Sequence, residues 1–363
     1  MARTSGSDMV SRRSVLAGAG IAGIGALAGC TGGQSSGSET GGETTGDSGE
    51  AGTPHLKAGG SSTVYPIANT AASYWTANAP ASDEEYWGPA QYGIETDQNL
   101  ADYWAGRYGF DTESSGAPFQ VTVSLSHSGT GIEKLMNGQL DLGNASAPVS
   151  AELPDAPEEE LEKFTDHVVG VDAQPIVVSR AVYDAGVTEV SIEELRGIYR
   201  GEITNWSELG GPDASIQAVG RAEGSGTDTS FRVNVLGGPD ASMSGVDVRK
   251  GQNQQVATLV GNSDNAIAYM ALAFVEPDGG VPPIALEIDG TTYEYGENLA
   301  DENYPLARDL HMYSYEGTSP EEAAFLNMIL SDFGQETFVE TANYVALTDE
   351  RQAEERAKLP EQP

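Results

Sequence analysis

Arg221-Ala222-Glu223-Gly224-Ser225-Gly226-Thr227 lies between a run patterned as a strand over 215–220 and one patterned as a helix over 229–236. A strand that turns on glycines into a helix leaves the first amides of that helix unpaired, and the Ser and Thr hydroxyls beside them face the same point. Two earlier stretches have the same character. Gly59-Gly60-Ser61-Ser62-Thr63-Val64-Tyr65-Pro66 follows an expected strand at 53–58, and Ser126-His127-Ser128-Gly129-Thr130-Gly131 follows one at 120–125. Any one of them taken alone reads as a helix N-cap with a glycine turn. Three in one chain, the third with an Arg four residues before its Ser, form a donor set of hydroxyls, amides and one guanidinium that suits a small oxyanion.

Outward from these junctions, short β-branched runs alternate with Ala/Leu/Glu-rich stretches, the pattern of an α/β protein. Further strands are expected over 167–178, 266–270 and 310–314, and helices over 65–78, 131–137, 157–164, 191–200, 252–261 and 320–329. Between 79 and 118 lies an acidic, aromatic segment with Tyr86, Trp87, Tyr92, Tyr103, Trp104, Tyr108 and Phe110. It reads as a surface excursion packing its own aromatics, with a docking patch for a partner as the rival reading.

The 363 residues include 55 Asp or Glu against 18 Lys or Arg, a formal charge of −37. A nucleic-acid binder needs clustered cations, so that class is excluded. Only five of the cations are Lys. An acid-rich, Lys-poor surface stays solvated when salt shortens the screening length to about 3 Å at 1 M, which suits a halophile. Hydrophobic content of 39% with 15 Tyr, 8 Phe and 4 Trp is enough for a core.

The first thirty residues read as a processing signal. Arg12-Arg13 precedes an uncharged run from Val15 to Ala28, and Leu27-Ala28-Gly29-Cys30 closes it. That run is shorter than the roughly 20 residues of a spanning helix and fits a twin-arginine signal peptide. Cys30 is the only cysteine, so no intramolecular disulfide forms, and its setting resembles a lipobox. Gly18-Ala19-Gly20-Ile21-Ala22-Gly23 matches a dinucleotide fingerprint, but no strand precedes it and no βαβ unit surrounds it. Residues 31–54 are Gly, Ser, Thr and Glu-rich, a flexible tether.

Enzyme motifs are lacking. Gly224-Ser225-Gly226 does not have the G-x-S-x-G spacing of a serine hydrolase, and the four His (55, 127, 167, 311) form no recognisable motif. His127 reads as a loop histidine near the mouth of the site. No Walker A, HExxH or CxxC pattern occurs, so neither metal nor cofactor is expected.

The junction residues resemble the phosphate-binding lipoproteins of phosphate ABC importers. The likeness begins at Gly60-Ser61-Ser62-Thr63-Val64-Tyr65-Pro66-Ile67 and runs through Ser128-Gly129-Thr130-Gly131-Ile132, Asp141-Leu142-Gly143-Asn144-Ala145-Ser146-Ala147-Pro148 and residues 195–206 to residues 221–227. With the composition, this points to the type expected of a halophilic archaeon. The resemblance implies a two-domain periplasmic-binding fold (type II), with mixed sheets flanked by helices and the ligand in a hinged interdomain cleft. Domain I would be 55–168 plus 310–363, carrying the insertion 79–118, and domain II 169–309.

Carried over by position, the resemblance implies phosphate contacts from Thr63, the Val64 amide and Ser128 on one side, and from Arg221, Ser225, the Gly226 amide and Thr227 on the other. Glu223 would orient Arg221. Ser146 stands where well-known members carry an Asp that accepts the proton of the anion, which removes one source of discrimination against sulfate. The implied protein is an exported, monomeric, non-enzymatic receptor, anchored to the outer face of the cell membrane through lipid on Cys30 and delivering inorganic phosphate to an ABC permease. Two other readings are a receptor for another tetrahedral oxyanion such as sulfate and an exported serine hydrolase or phosphatase using Ser225 or Ser128. Asn144-Ala145-Ser146 and Asn205-Trp206-Ser207 are glycosylation sequons.

Overall fold

Residues 54–112, 116–299, 301 and 303–361 are described in a computed structural model. The leader, Cys30 and all of the tether except Pro54 lie outside the described residues. Twelve strands occur among them: β1 (His55–Gly60), β2 (Gln120–Leu125), β3 (Leu142–Ala145), β4 (Phe164–Ala173), β5 (Ile176–Val178), β6 (Glu189–Ser191), β7 (Gln217–Arg221), β8 (Val248–Lys250), β9 (Ala266–Tyr269), β10 (Pro283–Ile288), β11 (Thr291–Tyr293) and β12 (Ala307–Tyr315).

They form two mixed sheets. One has the order β2-β1-β3-β12-β4, with β1 parallel to β2 and β3 and with β12 antiparallel to β3 and β4. The other has the order β11-β10-β5-β9-β7-β8, and β6 pairs with β10. In it β7 lies parallel to both β8 and β9, while β5 runs antiparallel to β9 and β10. Ile176–Val178 and Ala266–Tyr269 are buried at every position, the near-continuous apolar reading of strands covered on both faces.

The expected strand over 167–178 is two strands in different sheets, because Pro175 has no amide to donate and forces the chain off the ladder between β4 and β5. The acidic stretch 157–164, expected as a helix, makes one turn at Glu158–Leu161 before Phe164 enters β4. Helix Ser128–Met136 starts three residues earlier than its apolar pattern indicates, and Gly226–Phe231 likewise begins at the glycine. Both early starts lie at the junctions.

Helices away from the junctions close their own ends. Ile192–Arg200 has a reciprocal capping box between Ser191 and Glu194, and Pro320–Ile329 has one between Ser319 and Glu322. The aromatic segment does more than pack on itself: Trp87 and Trp104 are buried, and Phe333 meets Trp87 edge-on at 5.0 Å and Tyr92 at 5.4 Å. Tyr86 remains 43% exposed.

Candidate functional site

β1 ends at Gly60, whose φ of 132° is open to glycine, and the Ser61 amide donates to the Asn144 carbonyl at 2.8 Å. A side chain on Gly131 would come within 2.6 Å of the Gly60 Cα. Glycine at both positions therefore lets helix Ser128–Met136 approach the end of β1. The turn buries Ser61, Ser62 and Thr63 at the start of helix Tyr65–Ala77, whose N-cap is Val64. β3 delivers Ser146 beside them, and β7 delivers Arg221 with Ser225 and Thr227 just beyond.

None of the three junction helices is capped by a side chain: Val64, His127 and Ser225 stand at the N-cap without a cap hydrogen bond. The contrast with Ser191 and Ser319 weakens the reading of the junctions as plain caps. The junction hydroxyls instead converge. Ser61 Oγ donates to Ser146 Oγ at 3.1 Å, Ser128 Oγ lies 3.4 Å from Ser146 Oγ, and Thr63 Oγ1 lies 3.2 Å from Thr227 Oγ1. Ser128 Oγ also accepts from the Ser146 amide at 3.2 Å and the Gly226 amide at 3.3 Å. Ser146, Ser225 and Thr227 are each at most 2% exposed.

Arg221 is 2% exposed. Its guanidinium donates to Asn253 Oδ1 at 2.5 Å, the Gly251 carbonyl at 2.8 Å, the Lys250 carbonyl at 3.2 Å and Ser62 Oγ at 3.1 Å. All four acceptors are neutral, and no carboxylate among the described residues lies within ion-pair distance of it. Burial lowers its pKa to about 10, and Arg308 adds to the effect. Glu223 is exposed, and among the described residues no hydrogen bond or ion pair joins it to Arg221. Asn253, which accepts from Arg221, also donates to Ser62 and Thr63 Oγ1 at 3.2 and 3.1 Å.

Sequence reasoning missed Arg308, on β12. It donates to Thr227 Oγ1 at 3.0 Å, Thr63 Oγ1 at 3.3 Å and the Ser146 carbonyl at 3.2 Å. Its other face pairs with Asp172 at 2.7 Å, where side-chain exposures are 6% and 0%. Burial pushes the Asp172 carboxyl up, while Arg308 and the Leu272 amide hold it down. The available signal was an Arg next to an apolar strand in a chain with 18 cations. His127 flanks the cluster, and burial beside Arg221 lowers its pKa.

The second sheet braces this arrangement. The Arg221 amide donates to Tyr269 Oη at 3.1 Å, and that hydroxyl donates to Asp228 at 2.7 Å. Asp228 is paired with Arg232 at 2.7 Å and Arg249 at 3.0 Å. Its charge is therefore already matched by two cations.

Two sheets that present the ends of their strands to one buried donor cluster define a solute-binding protein, and residues 93–332 match the family model described as PBP superfamily domain. The phosphate-binding protein PstS of Bacillus subtilis (strain 168) is 30% identical over 229 residues, 63% of this chain and 72% of that protein. PstS of Staphylococcus saprophyticus is 26% identical over 252 residues, 66% and 76% of the two chains. The chain belongs to the PstS phosphate-binding protein family.

Solved structures share the fold. A Clostridium perfringens substrate-binding protein ascribed to phosphate ABC transport, solved with bound phosphate, aligns over 81% of this chain and 100% of that one at TM-score 0.59 and 21% identity. An ABC-type phosphate transport receptor from Vibrio cholerae aligns over 80% and 100% at TM-score 0.51 and 22% identity.

Proposed function

We propose that this chain captures inorganic phosphate outside the cytoplasm and hands it to an ABC permease. The observation that carries the reading is the buried Arg221 guanidinium, which meets only neutral acceptors. A buried cation without an anionic partner costs several kcal/mol unless the partner is the ligand. The converging hydroxyls and helix-start amides support an oxyanion as that partner. In this reading the anion is held by Thr63, the Val64 amide, Ser128, Ser146, Arg221, Ser225, the Gly226 amide and Thr227, with Arg308 as a second cation.

The segments 55–168 plus 310–363 and 169–309 would form the two halves of a hinged receptor, which phosphate stabilises in the closed state through its contacts to both. The chain acts as a monomeric, non-enzymatic lipoprotein, exported by the twin-arginine route and held on the outer face of the membrane through Cys30. Its acidity suits a halophile. Equilibrium dialysis of the 31–363 chain with phosphate in high salt tests the reading: one site with Kd below about 100 μM supports it, and no saturable site at that level rejects it.

A further inference from the structure

Glu152 closes the one-turn helix Val149–Glu152 and comes within reach of the donor cluster. A methyl group placed on Gly226 would lie 2.8 Å from Glu152 Oε1, 2.8 Å from Ser128 Oγ and 2.7 Å from Ser146 Oγ. Three oxygens from three segments therefore surround one point beside the Gly226 backbone. Glu152 Oε1 is buried, with no hydrogen-bond partner among the described residues. A Cβ on Gly129 would lie 3.4 Å from Glu152 Oε2, which places the carboxyl beside the second junction, and the Gly129 amide favours its ionised form.

We propose that Glu152 is a ligand of the bound anion and the group that distinguishes tetrahedral oxyanions carrying a hydrogen from those without one. The proposal deepens the phosphate-receptor reading and rests on it. An ionised Oε1 tolerates only an oxygen that brings its own hydrogen, as phosphate does and sulfate does not. A protonated Glu152 donates to either anion.

The groups facing Glu152 determine where it changes form. From β12 come Arg308, which lowers its pKa, and Tyr313, whose hydroxyl accepts from the Val149 amide at 3.1 Å. Helix Ser128–Met136 presents neutral Ser128 and Gly129 in its first turn, and helix Gly226–Phe231 carries Asp228, already matched by Arg232 and Arg249. Burial outweighs Arg308 and the Gly129 amide and raises the Glu152 carboxyl to about 8. Below that pH Glu152 supplies the proton, and above it the anion must.

The test is competition of sulfate against phosphate at pH 6 and pH 9.5 in the wild type and in Glu152→Gln. The ionisation of the anions is common to both proteins and cancels in the comparison. The wild type should lose sulfate relative to phosphate by at least about tenfold more than the variant over this range. Equal changes in the two proteins would overturn the role of Glu152 while leaving phosphate binding intact. Failure of the wild type to bind either anion would overturn the receptor reading along with it.

Discussion

Removing Arg308 should expose how much of the site depends on one buried ion pair. In Arg308→Ala the Asp172 carboxyl, whose side chain has 0% exposure, loses its guanidinium partner at 2.7 Å. Breaking one side of such a pair costs about 3–5 kcal/mol. The pH dependence has a definite sign. Without Arg308 the folded-state pKa of Asp172 rises further above its unfolded value of about 3.9, so the folded state binds the extra proton and its stability falls as pH rises between the two values. The deficit relative to wild type should thus be larger at pH 8 than at pH 5, by about 1.4 kcal/mol for every tenfold weakening of the Asp172 acidity within that window. Urea denaturation at the two pH values, at fixed high salt, measures it.

Arg308→Met combined with Asp172→Asn removes both charges and should recover most of the stability. Phosphate affinity should stay low, because Thr63 and Thr227 have lost the cation that joins them. A loss below about 1 kcal/mol in the single variant, or the same loss at both pH values, would refute the assignment of an essential buried pair.

Other substitutions affect binding and folding to different degrees. Gly226→Ala places a methyl 2.7 Å from Ser146 Oγ and 2.8 Å from Ser128 Oγ and Glu152 Oε1; calorimetry should show phosphate affinity falling at least about tenfold, with a stability loss of about 1–3 kcal/mol from the overpacking. Ser225→Ala should weaken binding by about 1–3 kcal/mol with little change in melting temperature, because this N-cap makes no cap hydrogen bond. Ser191→Ala should do the reverse, costing about 1 kcal/mol of stability through its lost capping box and leaving affinity unchanged.

The junctions were legible because their chemistry is local: each is a few consecutive residues whose glycines, hydroxyls and following apolar pattern belong together. The bracing of Arg221 was not legible. Asn253 lies 32 residues further on and Arg308 sits on a strand that returns to the first sheet, so only the topology unites them. The orienting role of Glu223 rests on the family resemblance alone, and its side chain is exposed just before Gly224, whose φ of 75° turns the chain. Strands β6, β8 and β11 have three residues each, too few to display an alternation. Glu152 passed as one more solvated acid among 55, because nothing in its immediate sequence marks burial.

The central claim is that a buried guanidinium without a carboxylate partner awaits a phosphate. Isothermal titration of phosphate into the wild type and Arg221→Ala, in high salt, tests it most directly. The account predicts a single site in the wild type and a loss of at least about 100-fold in the variant, from about 3 kcal/mol at 1.4 kcal/mol per decade. Equal phosphate affinity in the two proteins would contradict it.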